Sequence, residues 1–170
     1  MAQVIHGRFT ADMDEPFVVF LIGMRVNRLR AVRKWVGTFM IMPPILKELK
    51  QHPEKGLLGM EYFVYWRGIA LVQYWRSFDD LERFARDPGD RHLPGWRWFN
   101  HTIGADGTVG FWHETYIVKQ GQSEAIYNNM PAFGLAAATN LVPALGRRET
   151  ASRRLGYHNE PAVPTPPGPK

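Results

Sequence analysis

The segment Val109–Val118, with the sequence VGFWHETYIV, has the clearest strand pattern in the chain. Successive side chains of a strand point to opposite faces, so Phe111 and His113 share one face. Trp112 and Glu114 share the other. An ionisable side chain is costly to bury unless it is hydrogen-bonded or paired with a charge. The segment therefore predicts a strand whose histidine and glutamate either make structural hydrogen bonds or belong to a functional site.

Three more strands are predicted before this one. Residues 17–26, 57–66 and 69–76 each place apolar side chains on both faces of a strand. The last two are joined across Arg67 and Gly68, which is typical of a tight hairpin.

Helical periodicity lies between these strands. Apolar residues three or four apart predict a helix from Leu29 to about Gln51, and Pro43 and Pro44 within it predict a kink or two abutting helices. Ser77 starts a second helix with a capping pattern. A third helix follows Asp90, and His92, Trp96, Phe99 and Ile103 fall on one of its faces.

The two ends of the chain are less regular. We expect residues 1–15 to form an N-terminal segment with at most a short edge strand, and residues 16–156 to form one domain. Within that domain, residues 123–129 predict a short helix and residues 134–145 an irregular packed segment. Residues 157–170 are rich in proline and predict an extended arm or a disordered tail.

The element order is strand, helix, strand, strand, helices, strand, which is the split βαβ order of the ferredoxin-like fold. The expected class is α+β with an antiparallel sheet. Because the strands are apolar on both faces, something must cover each face of the sheet. In this fold the helices cover one face only. A bare face of Tyr, Trp and Phe would aggregate, so we expect a homodimer in which the sheet of a second copy covers the other face.

Composition limits the kinds of protein and functional site that the chain can form. With 170 residues, 45% of them hydrophobic, the chain can bury a sizeable core. It has no cysteine, which excludes disulfides, thiolate metal sites and a cysteine nucleophile. The N terminus does not resemble a signal peptide and no apolar run reaches about 18 residues. We therefore expect a cytoplasmic protein with no membrane partner.

The net charge of +5 is concentrated in two clusters. Neither has the aromatic interleaving or spacing of a known nucleic-acid-binding module, so we expect no nucleic-acid partner. The clusters are interpreted as solvated surface or as anchors for an anionic group. They comprise Arg25, Arg28, Arg30, Arg33 and Lys34, and Arg147, Arg148, Arg153 and Arg154.

Four segments of the chain resemble one protein family. They are YWRSFDDLERFA (74–85), HLPGWRWFN (92–100), VGFWHETYIV (109–118) and EAIYNNMPAFGL (124–135). The family is monooxygenase-like, was formerly of unknown function, and is typified by a member of the fungal fumagillin pathway. The resemblance spans roughly residues 17–154. It implies a dimeric α+β barrel, similar in shape to antibiotic-biosynthesis monooxygenases and more distantly to haem-binding aldoxime dehydratases.

The signature positions carry over without assigned roles, because the resemblance implies no agreed catalytic residue. They are His92, Trp96, Phe99, Asn100, Trp112, His113, Glu114, Thr115, Tyr116, Tyr127, Asn129, Met130, Pro131 and Gly134.

The first functional hypothesis is a monooxygenase-like oxidoreductase that needs no cofactor and acts on an apolar, oxidisable small metabolite. Such a reaction needs a base, a partner for the developing anion and an apolar pocket. The catalytic candidates are His113 and His92 as bases, Glu114, and Arg76, which could instead pair with Asp79 or Asp80. The substrate-binding candidates are Trp75, Trp96, Phe99, Asn100, Trp112, Tyr116, Tyr127 and Asn129, although the tryptophans also suit an ordinary core.

Haem binding is the second hypothesis. An imidazole from His92 or His113 would be the axial ligand, and the two basic clusters would hold the propionates. A non-haem metal is disfavoured, because His113 and Glu114 point in opposite directions from the strand. The third hypothesis is a non-enzymatic barrel that binds an apolar ligand.

Overall fold

The structure is a computed structural model, and it describes residues 3–165. No helix among these residues is long and apolar enough to cross a membrane. The helices and strands in chain order are β1 (Ile5–Asp12), β2 (Phe17–Val26), α1 (Val32–Gln51), β3 (Leu57–Tyr65), β4 (Gly68–Trp75), α2 (Phe78–Arg86), α3 (His92–Thr102), β5 (Val109–Val118), β6 (Tyr127–Met130), α4 (Leu135–Ala138), β7 (Asn140–Pro143) and α5 (Ala151–Arg154), with 3₁₀ turns at Pro53–Lys55 and Gly146–Arg148.

These elements form two compact units. The core unit is Val18–Tyr116 and holds strands β2 to β5 with helices α1 to α3. The terminal unit joins the residues up to Phe17 with those from Ile117 onward. Residues 117–156, which the sequence analysis placed in one domain with the preceding hundred, thus group with the N-terminal strand. The reason is strand pairing, because β1 pairs with both β6 and β7.

The sheet of the core unit has the strand order β3-β4-β2-β5. Strand β4 pairs antiparallel with both of its neighbours, so that Leu71 lies opposite Ile22 on one side and opposite Tyr62 on the other. Helix α1 connects β2 to β3, and helices α2 and α3 connect β4 to β5. This order is that of the ferredoxin-like split βαβ fold. The predicted α+β class with an antiparallel sheet is therefore confirmed.

One face of this sheet packs against the helices. The main buried cluster comprises Val18, Ile22, Leu71 and Trp75 of the sheet, Ile45, Leu46 and Leu49 of α1, and Leu81 and Phe84 of α2. Helix α2 begins as the sequence predicts, because the Ser77 hydroxyl accepts a hydrogen bond from the Asp80 backbone N–H at 3.1 Å.

Helix α1 is continuous from Val32 to Gln51 even though Pro43 and Pro44 lie inside it. Two abutting helices are not observed. Side chains beyond the prolines, including Leu49, are fully buried, so tertiary packing holds the last turns in helical form despite the two missing amide donors. Close approach to α3 adds to this packing, because a Cβ built on Gly95 would meet Ile41 Cγ2 at 2.4 Å.

The terminal unit contains a three-stranded sheet in the order β6-β1-β7. Strand β1 is its central strand and runs for eight residues, so the expectation of at most a short edge strand near the N terminus was wrong. Residues 123–129 were predicted to be helical, but their second half forms β6, because Tyr127 pairs with Phe9. A short helix and a strand, α4 and β7, occupy much of residues 134–145.

Ion pairs and a buried hydroxyl stabilise the terminal unit. Arg148 pairs with Asp12 of β1, and Arg154 pairs with Glu124. The Thr10 hydroxyl, which is 2% exposed, donates to the Ala125 carbonyl oxygen at 2.7 Å. Residues 157–165 form no regular element. The remainder of the predicted proline-rich tail, residues 166–170, lies outside the described residues.

Candidate active site

The core unit contains a cavity of about 540 Å³ between the helix-covered face of its sheet and helices α1 and α3. This volume falls within the roughly 300–1,000 Å³ range of small-molecule pockets. Its walls are mostly apolar and therefore suit an apolar molecule. The apolar lining residues include Ile22, Met24, Ile69 and Leu71 of the sheet, Phe39, Ile41, Met42, Pro43, Ile45 and Leu46 of α1, and Trp96 and Phe99 of α3.

His92, the first residue of α3, lines this cavity. Its Nδ1 lies 3.0 Å from the Ala85 backbone carbonyl oxygen. A carbonyl oxygen can only accept a hydrogen bond, so Nδ1 carries the proton in the neutral ring. Nε2 is then left with a lone pair. It is the atom of His92 that can accept a proton or bind a metal ion.

Aromatic rings form a continuous group beside His92. Trp96 stacks on Phe99, with ring centroids 5.7 Å apart and planes 4° from parallel. Phe111 of β5 meets both rings, with centroid distances of 5.3 Å to Trp96 and 6.0 Å to Phe99. Such a group offers flat, polarisable walls to an aromatic or conjugated ligand.

The remaining polar groups at the cavity come mainly from α1. Lys47, Lys50 and Gln51 lie in its last turns, and Thr38 lies near its middle. The Thr38 hydroxyl donates to the Lys34 carbonyl oxygen at 2.9 Å, so its proton is used within the helix. The two lysines are therefore the cationic groups of the cavity wall.

A charged cluster ties the end of α1 to the start of α3. Lys55 bonds to the carboxylates of both Glu48 and Asp90, and its Nζ lies 5.5 Å from the centroid of the Phe84 ring, which His92 also contacts. Burial raises the pKa of Asp90 in spite of the bond to Lys55. Burial acts the same way on Glu48, but hydrogen bonds with Lys55 and Asp90 outweigh it and lower the pKa of Glu48. The cluster therefore anchors the segment that contains Asp90 and leads into His92 at the start of α3.

His113, the other candidate base, does not line the cavity. It lies on the helix-covered side of β5, where its ring centroid is 5.5 Å from that of Phe20 and 5.8 Å from that of Phe111. The side chain is exposed. His113 therefore contacts the cavity-lining ring of Phe111 but does not line the cavity itself.

Arg76 forms the ion pair that the sequence analysis gave as its alternative role. Its Nε donates to Asp80 Oδ2 at 2.8 Å, and one of its terminal nitrogens donates to the Glu54 carbonyl oxygen at 3.0 Å. The hydrogen bond from Arg76 lowers the pKa of Asp80, which also binds Arg83. Arg76 does not line the cavity.

Two of the predicted tryptophans have packing roles. Trp75 is 1% exposed, and its indole N–H donates to the Gln73 side-chain oxygen at 2.9 Å. Trp112 points away from the cavity, and its indole N–H donates to the Tyr65 hydroxyl at 3.0 Å. Neither side chain lines the cavity. Both therefore belong to the scaffold of the core unit.

The other polar candidates in the core unit also lie off the cavity. Glu114 and Tyr116 bond to each other on the exposed face of β5, and this bond raises the pKa of Tyr116. Asn100 is exposed on α3.

Two candidates belong to the terminal unit. The Tyr127 hydroxyl accepts from the Ala136 backbone N–H at 3.3 Å. The Asn129 side-chain oxygen accepts from the Gly7 backbone N–H at 3.0 Å, and Asn129 itself has φ 53°. Both contacts stabilise the sheet around β1.

The structure thus brings together His92, Trp96 and Phe99 of the candidates taken from the sequence. The candidates taken from the sequence did not include the α1 side chains of the cavity wall or the inward side chains Tyr62 and Phe111. The apolar stripe of α1 and the alternation of β3 and β5 are the signals that could have found them. No group of three or more metal-ligating side chains occurs within residues 3–165.

Comparison with known proteins places the chain in a family. A family profile described as monooxygenase af470-like matches residues 17–135. The chain belongs to this family. A curated relative is monooxygenase af470 of Aspergillus fumigatus, which is 30% identical over 154 residues. The match covers 76% of this chain and 53% of the relative, so the chain spans about half the length of that protein.

Solved structures resemble the chain in fold. Two aldoxime dehydratase structures, one of them a complex with butyraldoxime, match with a TM-score of 0.58 and 16% identity. The matches cover 74% and 76% of this chain, and 38% and 42% of the dehydratase chains. SnoaB, a cofactor-independent oxygenase from Streptomyces nogalater, matches with a TM-score of 0.42 and 13% identity over 61% of this chain and 94% of its own. At these identities the structural likeness concerns the fold alone.

Proposed function

We propose that the chain acts as a monooxygenase-like oxidoreductase on an apolar, oxidisable small molecule bound in the 540 Å³ cavity. The observation that carries this proposal is the hydrogen bond from His92 Nδ1 to the Ala85 carbonyl oxygen, which leaves Nε2 as a base at an apolar wall. Membership of a monooxygenase-like family supports the same reaction class.

His92 would remove a proton from an activated CH₂ group of the substrate. The resulting carbanion is electron-rich and can reduce dioxygen directly in a pocket from which water is excluded. Overall, R₂CH₂ and O₂ give R₂C=O and H₂O, so the substrate itself supplies the electrons. The stacked rings of Trp96 and Phe99, with the ring of Phe111 tilted against both, would hold a conjugated substrate beside the base.

Oxygen uptake with a panel of conjugated, weakly acidic polycyclic ketones and phenols tests the proposal. His92→Ala should lower turnover by about 10²- to 10⁴-fold, which is the usual contribution of a general base. Binding, measured by quenching of tryptophan fluorescence, should persist. His113→Ala is the matched control, because its ring lies outside the cavity, and it should retain turnover. Ligand binding without oxygen uptake in any form of the protein would instead indicate a non-enzymatic binding barrel.

A second candidate is a haem-dependent enzyme, and the same hydrogen bond favours it. Histidines that ligate haem iron usually donate Nδ1–H to an acceptor, as His92 does to Ala85, so Nε2 of His92 would be the atom that holds the iron. Lys47 and Lys50 could hold the propionates, whereas neither predicted arginine cluster lines the cavity. A bound haem would supply redox-active iron. A Soret band that survives gel filtration after addition of haemin and is lost in His92→Ala would support this candidate.

We also propose that a second copy covers the face of the core sheet opposite the helices. Leu21, Val72 and Trp112 lie on that face and are only half-buried. Light scattering after gel filtration should give twice the 19.5 kDa mass of one chain. A 19.5 kDa particle at micromolar concentration would contradict the proposal.

A further inference from the structure

The outward side of α1 carries an exposed apolar stripe. We call Val32, Val36, Phe39, Met40 and Pro43 the docking stripe; the four before the proline are 51%, 39%, 42% and 57% exposed. Their spacing of four, three, one and three residues places them on one side of the helix. Large apolar side chains aligned in this way on a surface usually mark an interaction site.

Cations flank the docking stripe. Arg33, Lys47 and Lys50 are exposed, and the last two continue the same side of the helix beyond Pro43. The one acidic residue of α1, Glu48, is half-buried and bonds to Lys55. The outward face of α1 therefore combines apolar bulk with positive charge and has no exposed carboxylate.

We propose that this face of α1 docks on an anionic lipid bilayer, with the stripe among the acyl chains and the cations among the headgroups. Helices that lie in the membrane interface combine these features: an apolar side flanked by lysine and arginine. Anionic headgroups complement the charge. A second copy is a poorer occupant, because an antiparallel two-fold contact between α1 helices would place Lys47 and Lys50 of each copy against the Arg33 end of the other. In this respect the proposal differs from the expectation from sequence that the chain has no membrane partner.

The docking stripe meets the mouth of the cavity. Phe39 and Pro43 belong to the stripe and also line the cavity, as do Lys47 and Lys50. A molecule dissolved in the bilayer would thus enter the cavity from the docked face without crossing water. This consequence for substrate entry rests on the proposed function, whereas docking itself does not.

Flotation with lipid vesicles tests the proposal. Full-length protein is mixed either with vesicles of phosphatidylcholine alone or with vesicles that also contain phosphatidylglycerol. The protein should float with the anionic vesicles and remain behind with the neutral ones, and added salt should release it. Lys47→Gln and Lys50→Gln should each weaken binding by about fivefold, as expected for one cation near an anionic surface.

Val36→Glu and Met40→Glu test the position of the docking surface. Both side chains are exposed and neither lines the cavity, so the fold and any turnover of a water-soluble substrate should be retained. Each substitution should lower the affinity of the protein for anionic vesicles by about tenfold or more, because a carboxylate must enter the apolar layer of the bilayer. Val163→Glu is the matched control, since Val163 is 72% exposed in the terminal unit, and it should float like the parent protein.

Three results would overturn the docking proposal. The first is an absence of flotation with anionic vesicles, and the second is flotation that neither Val36→Glu nor Met40→Glu reduces. The third is a dimer in lipid-free solution that these two substitutions dissociate, because the face would then be a protein interface. Oxygen uptake by the parent protein separates the two proposals: a parent that takes up oxygen but never floats with anionic vesicles removes docking alone, and a parent that floats but takes up no oxygen with any substrate removes the oxygenase alone.

Discussion

The contact between Gly23 and Trp112 shows how a single residue shapes the core sheet. A Cβ built on Gly23 would lie 2.6 Å from Trp112 Nε1 and 2.7 Å from Cε2. The Trp112 indole is held there, because its N–H donates to the Tyr65 hydroxyl, which in turn donates to the Met24 carbonyl oxygen at 2.8 Å. Glycine at position 23 is therefore required by the indole.

We predict that Gly23→Ala destabilises the protein by about 1–3 kcal/mol, the usual cost of overpacking. Urea unfolding followed by circular dichroism measures the free-energy difference. Gly110→Ala, in the neighbouring strand, is the control, because its Cβ would have no neighbour closer than 3.4 Å. Equal stability of Gly23→Ala and the parent would show that the indole is not fixed in this position.

Asp80 gives a prediction about pH. Its pKa is lowered by the hydrogen bond from Arg76, and a carboxyl with a lowered pKa adds stability above its unfolded pKa that is lost as the pH falls. Arg76→Gln should therefore be less stable than the parent at neutral pH, and the deficit should shrink below about pH 4 as Asp80 becomes protonated. Thermal unfolding between acid and neutral pH measures this.

Arg86→Gln serves as the control for that experiment. Arg86 pairs with Glu82 on the same helix, but both side chains are exposed, and such pairs contribute little. A deficit of Arg76→Gln that stays constant with pH would contradict the role given to Asp80.

At the level of elements, the cluster of Glu48, Lys55 and Asp90 joins the end of α1, the 3₁₀ turn Pro53–Lys55 and the loop that leads into α3. We predict that Lys55→Met destabilises the protein by about 3 kcal/mol at neutral pH, because two carboxylates lose their cation. Loss of the lysine raises the folded pKa of both acids. A raised folded pKa gives stability that is lost as the pH rises, so the deficit should be smaller near pH 4 than near pH 7.

Chemical unfolding at both pH values measures this deficit. Lys47→Met, which removes an exposed lysine from the same helix, should change stability by less than about 0.5 kcal/mol. A Lys55→Met deficit as small as that of Lys47→Met would mean that the cluster does not hold the two helices.

The helices and strands of the core unit could be predicted well, because the spacing of apolar residues in each one is clearly that of a helix or of a strand. The hairpin, the cap at Ser77 and the shared face of His92, Trp96 and Phe99 all depend on local spacing. The errors lie where pairing partners are distant in the chain. Strand β6 is a strand because Tyr127 meets Phe9, and no local pattern records a partner more than a hundred residues away.

At the scale of the whole molecule, the ferredoxin-like order could be predicted but the cavity only in part. His92, Trp96 and Phe99 were found through the α3 face. The α1 wall was missed because its apolar residues suit a core helix equally well, and only the structure shows which of them face empty space. His113 and Arg76 carry suitable chemistry, but their surroundings place them off the cavity.

The proposed function requires that His92 present Nε2 as a proton acceptor in an apolar cavity. Histidine ¹⁵N spectra of labelled protein, assigned with His92→Gln, test it most directly. We expect the Nδ1–H tautomer in the free protein and protonation of Nε2 when a weakly acidic, conjugated ligand binds. An Nε2–H tautomer, or an unchanged Nε2 signal with the ligand bound, would contradict the claim.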